Sequence, residues 1–119
     1  MKIKVSEADG AALDWLVAKC EGWTPVIGRN PYNYPVLLSN YDGSYSTDWT
    51  YGGPIIEREK MDIIYYPDGS HVDGGVWLAA YVTETQDIDQ LGPTPLIAAM
   101  RCFVMSRLGD EVEIPEGLI

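Results

Sequence analysis

The chain has 119 residues, of which 46% are hydrophobic and 22% charged, and this length and composition predict a single globular domain over residues 1–119. Its 18 acidic residues outnumber its 8 basic ones and give a net charge of −10, which disfavours the basic surface that direct nucleic-acid binding requires. No apolar run reaches the length of about 18 residues that a membrane span needs.

The N-terminal part of the chain predicts a short strand followed by an amphipathic helix. Polar and apolar residues alternate over residues 2–5, and this start lacks the long apolar run of a signal peptide, so we expect a cytoplasmic protein. The helix is predicted from residue 10 or 11 to residue 21 and is ended by Gly22. Its apolar residues have the spacing of one helix face: Leu13, Leu16, Val17 and Cys20.

Residues 24–51 are rich in turn-forming residues, and the only apolar run there is Val36-Leu37-Leu38. Five of the eight tyrosines lie in this part of the chain: Tyr32, Tyr34, Tyr41, Tyr45 and Tyr51. Tyrosines in such a region can form a contact surface or cover a small core, and both interpretations stay open.

The middle of the chain predicts a broken helix and a strand. Residues 46–49, Ser-Thr-Asp-Trp, are typical of a helix start, because a hydroxyl and an acid stand where free amide groups need acceptors. Gly52-Gly53 is predicted to interrupt this helix and Pro54 to restart it as far as Lys60. Residues 62–66 are rich in strand formers, and a turn follows at 67–70.

Residues 76–83 give the clearest strand pattern. Both of its faces are apolar, which predicts a strand that is covered on both sides. It is expected to pair with residues 62–66 in an antiparallel sheet, and the polar residues 84–90 are interpreted as a link to the next element.

Residues 94–108 predict a buried C-terminal helix. Thr94 is a capping residue, Pro95 suits the first helical position, and Gly109 suits the end. Apolar residues surround almost the whole helix, which indicates burial rather than a surface position. The predicted fold is α+β, with a small antiparallel sheet of about three strands packed with two or three helices.

Three stretches, taken together and in order, resemble a known family. They are Leu13–Lys19 with Glu21-Gly22, Tyr45–Trp49 with Gly52–Glu57, and Gly92–Cys102 with Leu108–Val112. These residues resemble the phage NinX-like family, and their order is similar to that in phage α/β/α sandwich domains. The resemblance implies a phage or prophage origin, an intracellular setting in a bacterial host and a helix–sheet–helix sandwich. It brings no catalytic residues.

The sequence carries no metal-binding or cofactor motif. The single histidine, His71, lies in a turn-like run without the spaced ligands of a zinc site, so we interpret it as an exposed loop residue. Cys20 and Cys102 fall in predicted helices, where buried and reduced thiols are favoured over a disulfide.

Arg101 interrupts the apolar C-terminal helix, and a buried guanidinium needs hydrogen-bond acceptors. Asp14, Asp48 and Glu57 are the candidate partners. On one interpretation, Arg101 ties its helix to residues 45–57. On the other, six residues line one polar pocket that receives a ligand or a partner's side chain: Tyr45, Ser46, Asp48, Trp49, Glu57 and Arg101.

These features favour a non-enzymatic phage accessory protein that binds a host or phage protein in the host cytoplasm. One alternative is a small enzyme or metabolite-binding protein with its site around Asp48, Glu57 and Arg101. A second alternative is an acidic mimic of nucleic acid, although no block of five or six consecutive acids is present. Self-association through an uncovered sheet edge or the tyrosine-rich region is a further possibility. No membrane association is expected.

Overall fold

A computed structural model describes residues 1–23, 26–29, 31–32, 35–38, 44–67 and 76–118. The helices and strands are, in chain order, β1 (Lys2–Lys4), a short 3-10 helix (Val5–Glu7), α1 (Gly10–Cys20), β2 (Val26–Arg29), β3 (Pro35–Leu38), α2 (Trp49–Glu59), β4 (Asp62–Tyr66), β5 (Val76–Val82), β6 (Asp87–Gly92), α3 (Pro95–Leu108) and β7 (Glu111–Glu113). This arrangement confirms the predicted α+β class. No helix in these parts of the chain is long and apolar enough to cross a membrane.

Helix α3 is the centre of the structure, and its predicted bounds are confirmed. The Thr94 hydroxyl accepts a hydrogen bond of 3.1 Å from the Ile97 amide at the start of the helix. Gly109, at its end, has a φ of 88°, which favours glycine. Its buried residues are Leu96, Ala98, Ala99, Met100, Cys102, Phe103 and Val104.

The largest described sheet has three antiparallel strands in the order β4-β5-β6. The predicted pair is confirmed, since Asp62 lies opposite Ala80 and Tyr66 opposite Val76. The third strand, β6, was wrongly interpreted as part of a polar link. Its run Asp-Ile-Asp-Gln alternates acidic and uncharged residues because β6 is an edge strand with one face toward solvent.

Close backbone contact fixes α3 on this sheet. A Cβ at Gly92, the last residue of β6, would lie 2.7 Å from the Ala98 amide nitrogen, so only glycine allows this approach. Helices α1 and α2 also contact α3. The described helices therefore lie on one side of the sheet, and this layer order differs from the helix–sheet–helix order that the family resemblance implies.

The prediction that residues 76–83 are covered on both sides is wrong for the end of β5, although Val76 at its start is buried. Trp77, Ala79 and Tyr81 form the inner face of β5 and belong to the hydrophobic core. On the outer face, Val82 of β5 is 65% exposed and Ile64 of β4 is 43% exposed. The apolar pattern is present, but the elements that contact β5 most extensively are β4, β6 and α3.

The two ends of the described chain meet in a second small sheet. Strand β1 confirms the predicted strand near the N-terminus and pairs antiparallel with β7, with Ile3 opposite Val112. The terminal amino group of Met1 adds an ion pair of 3.1 Å with Glu113. A third pair, β2 and β3, is also antiparallel.

Helix α2 runs through Gly52-Gly53-Pro54 without the predicted interruption. The Asp48 carboxylate caps it by accepting a hydrogen bond of 2.9 Å from the Thr50 amide. The two glycines have different surroundings. A Cβ at Gly52 would collide with the Tyr45 carbonyl oxygen and lie 2.6 Å from Cδ2 of Leu96, whereas a Cβ at Gly53 would meet Trp49 at an ordinary 3.6 Å.

This difference predicts opposite effects for alanine at adjacent positions. Gly52→Ala should lower the free energy of unfolding by about 1–3 kcal/mol, because the new methyl group overpacks the contact with Tyr45. Gly53→Ala should raise it by about 0.5–1 kcal/mol through helix propensity. Urea unfolding followed by circular dichroism measures both, and a change of the same sign at the two positions would contradict the packing described for α2.

Candidate functional site

Arg101 is held by backbone carbonyl groups. Its Nε donates a hydrogen bond of 2.7 Å to the Ala8 carbonyl, and its Nη1 donates one of 2.9 Å to the Leu91 carbonyl. Burial lowers the pKa of the guanidinium, and the nearby Asp9 charge partly opposes this effect. The prediction that Arg101 ties α3 to residues 45–57 is wrong, because the guanidinium joins α3 to the chain before α1 and to β6 instead.

Asp14 makes the link that was expected of Arg101. Its Oδ1 accepts a hydrogen bond of 2.9 Å from the Ser46 amide and so joins α1 to the segment before α2. Burial raises the pKa of Asp14, while the Ser46 amide and hydroxyl act in the opposite direction. The hydroxyl is near this carboxylate but outside hydrogen-bond geometry, and Ser46 Oγ is a buried atom without a hydrogen-bond partner in the described part of the chain.

The six residues of the predicted pocket lie in different environments. Tyr45 and Ser46 are buried, whereas Asp48, Trp49 and Glu57 are exposed. A cleft of about 240 Å³ lies between the start of α2 and the start of α3, and its lining residues are Ser46, Thr47, Trp49, Thr94, Pro95, Leu96 and Ile97. The structure thus brings Ser46 and Trp49 together, while neither Glu57 nor Arg101 lines this cleft.

A partly exposed ion cluster joins the ends of α2 and α3. Glu59, whose side chain is 10% exposed, accepts hydrogen bonds from Arg58, Arg107 and Tyr81, with distances of 2.8, 2.6 and 3.0 Å. Arg58 also pairs with Glu21 of the turn after α1 at 2.9 Å. The Phe103 ring lies within 5.6 Å of the Arg58 guanidinium carbon and 4.9 Å of that of Arg107.

This cluster was not predictable from the sequence. Basic residues in the last turns of α2 and α3 were visible, but nothing indicated that these two helix ends meet. Burial raises the pKa of Glu59, but the hydrogen bonds from Arg58, Arg107 and Tyr81 outweigh this effect, and the pKa lies below its ordinary value of 4.5.

The thiols are poor candidates for nucleophilic chemistry. Burial raises the pKa of Cys20 to about 11 and that of Cys102 to about 12, so both stay protonated near neutral pH. His71 lies outside the described residues, as do Tyr34 and Tyr41 of the tyrosine-rich region. Among the residues that are described, no three His, Cys, Asp or Glu side chains are grouped as metal ligands would be.

The most prominent exposed feature near the predicted site is a face of α2. Trp49, Gly53 and Glu57 follow one another at intervals of four residues, and the Trp49 ring lies against Gly53. Trp49 is 55% exposed, and Asp48 and Glu57 are also exposed. We call Asp48, Trp49, Gly53 and Glu57 the Trp49 surface. An open indole ring on a helix that also exposes carboxylates suits contact with a basic side chain, through cation–π attraction and ion pairing.

A structural role for Arg101 predicts a specific loss of stability. Arg101→Met should lower the free energy of unfolding by about 1–3 kcal/mol, because the Ala8 and Leu91 carbonyl groups lose their donors. Glu57→Gln should change it by less than about 0.5 kcal/mol, since Glu57 is exposed. Urea unfolding of both variants checks this, and a loss at Glu57→Gln as large as that at Arg101→Met would contradict it.

The Glu59 cluster predicts a pH dependence of stability. Because the folded-state pKa of Glu59 is lowered, its stabilising contribution is complete above the unfolded value near 4.5 and is lost as the pH falls through the folded value. Glu59→Gln should therefore reduce stability at neutral pH and make the loss on acidification smaller. Thermal unfolding across this pH range tests it, with Glu57→Gln as the matched control. A parallel pH profile for Glu59→Gln and the parent protein would contradict the assignment.

The family described as "Bacteriophage P22, NinX" matches residues 4–107 of the chain. A search of curated proteins found no match to the chain.

Proposed function

The chain belongs to the bacteriophage P22 NinX family, and we propose that it is a phage accessory protein that acts by binding another protein in the host cytoplasm, without catalysis of its own. The observation that carries the proposal is the Trp49 surface. Tryptophan is among the residues that contribute most to protein interfaces, because its large rigid ring gains much from leaving water.

Charge supports a basic partner. Asp48 at the start of α2 and Glu57 within it are exposed, and the chain carries a net charge of −10. Opposite charges on a partner would accelerate encounter and select against acidic proteins. We therefore propose that the partner presents an arginine or lysine to the Trp49 ring, with apolar residues beside it for the cleft between α2 and α3.

The enzyme and metabolite-binding alternative is less well supported, because its candidate residues have structural contacts. Arg101 donates to two carbonyl groups, and Asp48 caps α2. Asp14, whose raised pKa would suit an acid catalyst, accepts a hydrogen bond from the Ser46 amide.

Nucleic-acid mimicry is also less well supported, because it needs acids in rows with phosphate-like spacing. The exposed acids described here are spread over the turn before α1, α2, β4, β6 and β7.

A display experiment tests the proposed function directly. The purified protein is used to select from a random peptide library displayed on yeast, and Arg and Lys should be enriched in the selected sequences beside apolar residues. Trp49→Ala should weaken binding of the selected peptides by about tenfold or more, as expected for a central interface residue. Thr50→Ala, an exposed neighbour in the same helical turn, is the matched control and should leave affinity within about twofold.

Two results would reject the proposal. One is a selected pool without any excess of basic residues. The other is equal affinity of the Trp49→Ala and parent proteins for every selected peptide.

A further inference from the structure

The outer face of the three-stranded sheet has a regular arrangement of apolar and acidic residues. Across the strands, Ile64 lies opposite Leu78, and Leu78 lies opposite Leu91. The next row on the same face is Asp62, Ala80 and Asp89, and Val82 and Asp87 follow. Because side chains of a strand alternate between its two faces, all of these residues point away from α3.

This face is open to solvent at several of its positions. Ile64 and Val82 are 43% and 65% exposed, and Asp62, Asp87 and Asp89 are exposed as well. The sequences of β4, β5 and β6 contain no Lys or Arg. The face therefore combines an apolar row with carboxylates on either side of the small Ala80 side chain. Strand β5 thus has the apolar pattern of a covered strand, but none of the described helices covers its outer face.

The dimensions of the face match one α-helix. The seven residues of β5 span about 23 Å, and the outer strands of the sheet lie about 10 Å apart. A helix of about 14 residues is about 21 Å long and about 10 Å wide. Along β5, its apolar stripe would cover Leu78, Ala80 and Val82, and basic side chains on either side of the stripe would reach Asp62 and Asp89.

We infer that this outer face is a second docking surface, distinct from the Trp49 surface, and that its occupant is an amphipathic helix of another protein with Arg or Lys along the border of its apolar stripe. Charge complementarity selects this occupant. A second copy of the chain would place another set of carboxylates on Asp62, Asp87 and Asp89, and it would bring a further net charge of −10. An extended peptide added at the edge of β4 would satisfy backbone groups but leave the Leu78 row uncovered.

Two synthetic peptides serve as probes. One is a fluorescein-labelled amphipathic helix of about 14 residues with Leu on one face and Arg on its borders, and the other has the same composition in scrambled order. Fluorescence anisotropy with the full chain should show binding of the first peptide at least about tenfold tighter than the second, because only the first aligns apolar and basic residues with the sheet. Equal affinities would overturn the inference, since they would indicate attraction by net charge alone.

A pair of double variants with identical charge tests the location. Asp62→Asn with Asp89→Asn should weaken binding of the amphipathic peptide by about fivefold or more, because these carboxylates face the border residues of the helix. Glu111→Gln with Glu116→Gln removes the same charge from exposed positions outside the face and should change affinity by less than about twofold. Thermal unfolding confirms that each variant is folded. Equal weakening by the two pairs would overturn the inference.

Amide chemical shifts of the parent protein identify the surface that is used. The amphipathic peptide should perturb residues 62–66, 78–82 and 87–91 more strongly than those of α2. Perturbation confined to α2 would overturn the inference and assign the peptide to the Trp49 surface. Perturbation confined to the free edge of β4 would indicate that the peptide adds to the sheet as a strand. If light scattering shows a dimer that Val82→Glu dissociates, a second copy of the chain occupies the face. Either result would also overturn the inference.

Discussion

The close packing of α3 on the three-stranded sheet is the contact on which the remaining structure depends. At the start of the helix, Gly92 allows the backbone of β6 to approach Ala98. In its middle, Arg101 donates to carbonyl groups before α1 and in β6. At its end, Arg107 shares the Glu59 carboxylate with Arg58 of α2. One helix is thus attached to the sheet and to both other helices, and its apolar circumference is buried by them.

The internal contacts of the arginines leave mainly acidic side chains exposed on the surface. Arg58, Arg101 and Arg107 are engaged in internal contacts, so a large share of the few basic side chains is turned toward the chain's own acceptors. Within the part of the chain that the structure describes, the exposed acids on α2, β4 and β6 have no such role, apart from the Asp48 cap. The protein therefore presents acidic surfaces with apolar residues at Trp49 and Val82, and the basic partners proposed for both surfaces rest on the same electrostatic reason.

The helical core was predictable from sequence because local signals and burial agreed. Thr94, Pro95 and Gly109 gave the bounds of α3, and its apolar circumference indicated burial. The errors arose where tertiary contacts decide. Gly52 looked like a helix breaker, but it is needed for the approach to Tyr45. Arg101 was expected to find a carboxylate, and only the fold could reveal the nearby carbonyl groups. Trp49 could be proposed as a site residue from the sequence around it. The outer face of the sheet could be identified only once the register of its strands was known.

Native-state hydrogen exchange of the amide groups of α3 is the most direct test of this account. If α3 is the central buried helix, the amide protons of residues 99–104 should exchange only through global unfolding. Their free energy of exchange should then equal the free energy of unfolding measured in urea. If these protons exchange by local opening, with free energies no higher than those at the exposed start of α2, α3 is not the element that holds the fold together.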